Sequence, residues 1–155
     1  MVRAVRLMTL FFYTAILLAC TQLPHGVAQP VATDKIQPPE LINTRWQLVV
    51  IQSMDDTKYI PNNPSNYQIA FLANGELSIV ADCNRGRGSW IQNRNQLEFS
   101  QLISTRAACG PDSLYDRFMN NLNNVRSFVF VNGHIFLATQ ADGAILEFEA
   151  IEDGV

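Results

Sequence analysis

Histidine is nearly absent from this 155-residue chain, which has only His25 and His134. A nucleophilic hydrolase needs a base beside its serine, threonine or cysteine, and neither Ser104 nor Thr105 has a histidine nearby in the sequence. A zinc site wants four ligands, whereas residues 41–152 hold one histidine and two cysteines. No metal or cofactor is therefore expected. Apolar runs are also short. Leu7 to Ala19 is apolar apart from Thr9 and Thr14, but it falls below the roughly 20 residues needed to cross a bilayer. Positive charge is scarce, at 11 Lys+Arg against 14 Asp+Glu. Losing Arg3 and Arg6 with an N-terminal segment leaves a charge of about minus five, which disfavours a polyanionic partner such as nucleic acid.

What is present begins with the N-terminus. Arg3 and Arg6 precede the apolar run, and small residues follow it, the pattern of an export signal. Residues 1–19 are read as that signal, with Leu17-Leu18-Ala19-Cys20 resembling a lipoprotein site in which Cys20 becomes the lipidated first residue. The alternative signal is 1–28, cut after Gly26-Val27-Ala28, which releases a soluble protein. The expected location is the periplasm, or the outer membrane through a lipid on Cys20. Pro24, Pro30, Pro38 and Pro39 mark 20–40 as a flexible tether, and 41–152 as one small folded domain.

Either cut leaves Cys83 and Cys109, an even count in an oxidising compartment, so a disulfide is the default expectation. It would close a loop of about 26 residues and stabilise the domain by roughly 3 to 4 kcal/mol. A redox-active pair would usually have C-x-x-C spacing, and zinc lacks ligands.

Within 41–152 the hydrophobic period is mostly two. Trp46, Leu48 and Val50 alternate with polar neighbours, and Tyr67–Phe71 runs into Asn74-Gly75 and Leu77–Ile79. Asn-Gly is a strong signal for a hairpin with a type I′ turn. Ser89–Gln92, a turn at Asn93–Asn95 and Leu97–Ser100 form a second meander. Ser127–Val131, His134–Thr139 and Ala144–Ile151 follow, joined at Asn132-Gly133 and Asp142-Gly143. One segment has period 3.6: Leu114, Phe118, Leu122 and Val125 form a stripe, and Gly110-Pro111-Asp112-Ser113 supplies the helix start. The fold class is α+β, a curved antiparallel sheet with one amphipathic helix packed on its open side.

These signatures in this order resemble the META domain, the module of the heat-shock protein HslJ and related bacterial envelope proteins. They are Trp46, the Asn-Gly hairpin, Cys83-Asn84 with Gly88, Trp90, Thr105 with Cys109, then the helix and two hairpins. The resemblance covers nearly all of 41–152 and implies a half-open barrel of about seven to eight strands. Asp82 stands where the family favours glycine, Trp90 where tyrosine is usual, and Ala107 where methionine is common. The resemblance implies association with heat shock, antibiotic tolerance, motility or secretion, with no established reaction. By fold analogy it also implies likeness to secretion pilot proteins whose cracked barrel accepts a lipid chain.

Each polar signature has a structural and a functional reading. Asn84, Gly86 and Gly88 shape a tight turn. Arg85, Arg87 and Arg106 are either solvated or offered to an anion or partner. Ser104 and Thr105 satisfy backbone groups near the helix entrance. Asp55 and Asp56 read as a solvated turn rather than an acid pair, and His134 flanks a turn. Phe128, Phe130, Phe136, Leu146 and Phe148 read as core. The expected function is a non-enzymatic, disulfide-stapled envelope scaffold, stress-related, that offers Asn84, Arg85, Arg87, Thr105 and Arg106 to an envelope protein. The alternative is a carrier of a lipid or other hydrophobic small molecule, which requires an enclosed apolar cavity of roughly 300 Å³ beneath the helix.

Overall fold

Alternating burial along nearly every strand dictates the architecture, since successive side chains on a strand point to opposite faces. The computed structural model describes residues 40–152. The signal segment, Cys20, the cut after Ala28 and the tether as far as residue 39 lie outside the described residues. The strands are β1 (Thr44–Ser53), β2 (Lys58–Tyr59), β3 (Tyr67–Phe71), β4 (Glu76–Ala81), β5 (Asn84–Asn93) and β6 (Gln96–Ser104). Helix α1 (Tyr115–Asn123) comes next, followed by β7 (Val125–Val131), β8 (His134–Thr139) and β9 (Ala144–Ala150). All pairings are antiparallel. Neighbours run β2-β1-β3-β4-β5-β6-β7-β8-β9, and β1 also pairs with β9, so eight strands close into a barrel with the short β2 appended.

Closure is uneven. β1 and β9 pair from Trp46↔Ala150 to Ser53↔Ala144, whereas β6 meets β7 in a single register pair, Gln96↔Ser127. Beyond Gln96 the two strands part, and the chain between them forms a loop and α1. The helix buries Phe118, Met119 and Leu122. Phe118 packs edge-on against Tyr67 at 5.5 Å and lies 6.2 Å from Phe148. Such aromatic pairs stabilise by about 1 kcal/mol beyond their area burial. Phe71, Phe128, Leu48, Leu77, Ile79, Leu97, Leu137 and Leu146 fill the rest of the interior.

The structure corrects several local expectations. In β1 a bulge between Leu48 and Val50 shifts the register, so Ile51 rather than Val50 enters the core; an extra residue reverses the facing of all that follow. The helical stripe ends early, because Val125 is already the first residue of β7. At its start Leu114, not Ser113, occupies the N-cap position, and Ser113 Oγ accepts the Tyr115 N–H at 3.1 Å.

The three expected tight turns differ among themselves. Asn132 and Gly133 both have positive φ, 51° and 82°, as a type I′ turn requires. At Asn74-Gly75 only the glycine does, at 78°. There the Gly75 N–H donates to Leu72 O and the Leu72 N–H to Glu76 O, the pattern of a three-residue loop with its glycine in the left-handed position. Gly143 is right-handed (φ −66°), and Ala141 takes the positive φ of 54°.

Candidate functional site

The β4–β5 turn is formed by Asp82 and Cys83, not by the Asn84–Gly88 segment, which is part of β5. Asp82 has φ 57°, in the left-handed region that glycine enters without strain and that aspartate tolerates better than most residues. Cys83 is joined to Cys109, with Cα atoms 5.6 Å apart. The bond ties this turn to the loop that follows β6.

Asn84 is fully buried, so it is not a surface-binding residue; its side chain works inward. Its Oδ1 accepts from Thr105 Oγ1 and from the Ala107 N–H, both at 2.8 Å. Its Nδ2 donates to Ala107 O at 3.2 Å and lies 3.3 Å from Cys109 Sγ. Thr105 Oγ1 accepts the Arg85 N–H at 3.1 Å, and the Thr105 N–H donates to Arg85 O at 3.0 Å. One internal amide thus clamps the 105–107 backbone, and the disulfide fixes its far end. Thr105 satisfies backbone groups as expected of it, and Ser104 Oγ shares a 2.6 Å hydrogen bond with Tyr115 Oη, which links β6 to the helix.

Gly86 and Gly88 lie inside β5, not in a turn. A Cβ on Gly88 would clash with Leu102 Cδ2 and come within 2.9 Å of Ser100 O, and one on Gly86 would come within 2.9 Å of Ile103 O. Both glycines are required by the close approach of β6. β6 is itself bulged opposite them: the register shifts between Arg87 and Ser89, and Gln101 has φ 54°.

Around this fixed corner lie two depressions. A groove of about 700 Å³ runs between the end of β6 and α1, lined by Leu102, Ser104, Arg106, Tyr115, Asp116 and Met119 among others. A shallower hollow of about 390 Å³ is lined by Arg85, Gly86, Arg87, Ile103, Ser104 and Thr105. Ile103 and Ser104 belong to both, and Ile103 is 55% exposed. Arg85 is partly committed, since its Nη1 donates to Asp82 O and Asn84 O at 3.1 and 3.0 Å. Among the described residues Arg87 and Arg106 have no ion pair within 4.0 Å. The structure therefore gathers Arg85, Arg87, Thr105 and Arg106 at one end of the barrel, with Asn84 beneath them. The groove itself was missed by sequence reasoning, because its two walls meet only through the parting of β6 and β7.

The other polar candidates are elsewhere. Asp55 and Asp56 lie in an exposed turn where Asp55 Oδ1 accepts the Thr57 N–H at 3.1 Å. That hydrogen bond holds the Asp55 carboxyl below its usual range, with a lesser contribution from Arg117. Arg117 itself stacks 3.5 Å over the Tyr59 ring. His134 Nδ1 sits 2.8 Å from Glu147 Oε1 but has no aligned hydrogen-bond acceptor, so the contact is a charge pair when the imidazole is protonated. Among the described residues there is no group of three or more His, Cys, Asp or Glu placed to hold a metal, and no helix long and apolar enough to cross a membrane.

The model of the META domain family matches residues 39–152. Among solved structures, a protein from Burkholderia xenovorans superposes with a TM-score of 0.62 at 22% identity, covering 84% of this chain and 99% of its own. A DUF4847 family protein from Bacteroides vulgatus ATCC 8482 superposes with a TM-score of 0.53 at 14% identity, covering 74% of this chain and 96% of its own. At these identities the likeness is one of fold. No curated protein matches the chain.

Proposed function

Because the chain belongs to the META domain family across residues 39–152, we propose that it is a non-enzymatic binding module of the bacterial cell envelope. It is exported by its N-terminal segment, anchored through a lipid on Cys20, and linked to stress. The observation that carries the binding role is the corner built on Asn84 and the Cys83–Cys109 bond. There a loop without regular secondary structure, 105–110, is held by an internal amide and a covalent link beside two open depressions. Ordering a loop costs conformational entropy of about 1 to 2 kcal/mol per residue. A loop ordered before contact spares a partner that cost on binding. The disulfide also accords with an oxidising compartment.

A protein partner is preferred over a lipid. The space beneath α1 is occupied by Phe118, Leu122 and Phe148, all with zero exposure, and the larger groove beside α1 is lined largely by polar residues. The non-enzymatic reading is supported by the engagement of the Ser104 and Thr105 hydroxyls with Tyr115 and Asn84 rather than with a base.

The test is photo-crosslinking in cells, with a photoreactive amino acid in place of Arg106 and, separately, in place of the exposed Ile91 on the same sheet. A discrete protein adduct in the membrane fraction, formed from position 106 and not from 91, is expected. No adduct from 106, or the same adducts from both positions, would overturn the proposal.

A further inference from the structure

The end of β6 is an unpaired sheet edge. β6 pairs with β5 along its length, but on its other side it meets β7 only at Gln96↔Ser127. The Thr105 N–H bonds to Arg85 O, and antiparallel pairs alternate between hydrogen-bonded and open. The next pair, Gly86↔Ser104, is thus an open one, and the Ser104 N–H and C=O turn away from β5 into the groove beside α1. Of the side chains there, Ser104 Oγ bonds Tyr115 Oη, which also lies 3.4 Å from Thr105 O, and Met119 is buried. What this edge leaves to the groove is the Ser104 main chain, with the Arg106 side chain beside it.

Charge selects the occupant. The chain is acidic overall, at 14 Asp+Glu against 11 Lys+Arg, yet Arg106 lines the groove and Arg87 the adjoining hollow, with Ile103 shared between them. Asp116 stands on the helix side, so a bound carboxylate belongs on the β6 side. We infer that this groove takes a short, extended, acidic segment of a partner protein, added as a strand to the edge of β6 at Leu102–Thr105 with a carboxylate toward Arg106. Main-chain hydrogen bonds supply affinity in strand addition, and alternate side chains supply selectivity. The Gln101 bulge separates this stretch from the rest of β6 and keeps the added strand short. The inference rests on the binding role proposed above and names the chemistry of its partner.

The test is selection of displayed random short peptides on the full chain, followed by synthesis of the enriched sequences. Enriched peptides are expected to carry Asp or Glu. Their affinity should fall roughly tenfold or more against R106E, and by a similar factor when alternate peptide amides are N-methylated. Binding to R94E, changed in the turn at the far end of β5, should be unaltered. Peptides that tolerate N-methylation, or that bind R106E as well as the parent, would overturn strand addition, as would a selection that enriches nothing. A crosslinked partner at position 106 would in each of those cases leave the broader binding role standing.

Discussion

Asn84 ties the start of β5 to the loop after β6 with a single amide. Its oxygen serves Thr105 and Ala107, and its nitrogen serves Ala107 O beside the Cys109 sulfur. Removing it leaves those groups unpaired, each costing about 1 to 3 kcal/mol if buried. Because residues 105–107 are exposed, water recovers part of that. Asn84→Ala is expected to cost about 2 to 3 kcal/mol in denaturant unfolding; a cost within 0.5 kcal/mol of zero, the range of ordinary surface substitutions, would contradict the clamp. The glycines provide an internal comparison. Gly88→Ala must displace Leu102 or the Ser100 carbonyl and should cost roughly 1 to 3 kcal/mol. Gly110→Ala meets nothing within 4 Å and should fall within about 0.5 kcal/mol of the parent. At this scale the disulfide was readable from cysteine parity, whereas the burial of Asn84 was not. Its partners lie 21 and 23 residues away, and an asparagine after a cysteine carries no local sign of them.

At the scale of elements, the Cys83–Cys109 bond ties the β4–β5 turn to the loop after β6, 26 residues apart. Confining the unfolded chain over that span corresponds to about 3.5 kcal/mol in the chain-entropy treatment. The double variant Cys83→Ser, Cys109→Ser should therefore unfold at lower denaturant by about that free energy, with an unchanged fold read by circular dichroism. A loss below about 1 kcal/mol would contradict the account of the bond as a constraint on the unfolded chain. Most elements were legible because their alternation is local: the Tyr67–Phe71 and His134–Thr139 strands match the structure at both ends. The failures share one cause. The β1 bulge, the bulge at Gln101 and the early end of the helix at β7 are each set by pairing with a neighbouring strand, which no window along the chain contains. The two Asn-Gly turns show the same limit, with one dipeptide in two backbone solutions.

For the whole molecule, the decisive contacts are those between the first and last strands and the missing ones between β6 and β7. The sequence-based sheet, open on one side with a helix across it, corresponds to this seam. Closure by β1 and β9 depends on pairing across about a hundred residues, as in Gln47↔Glu149, and periodicity cannot report it. The same parting of strands creates the groove, which is why the candidate residues were legible singly and their meeting place was not. Hydrogen exchange of the intact chain followed by residue tests this picture most directly, because it reads the fixed loop and the free edge in one experiment. The amides of Thr105 and Ala107, bonded to Arg85 O and Asn84 Oδ1, should exchange at least about a hundredfold more slowly than that of Ser104. Equal rates at Ser104 and Ala107 would contradict the account.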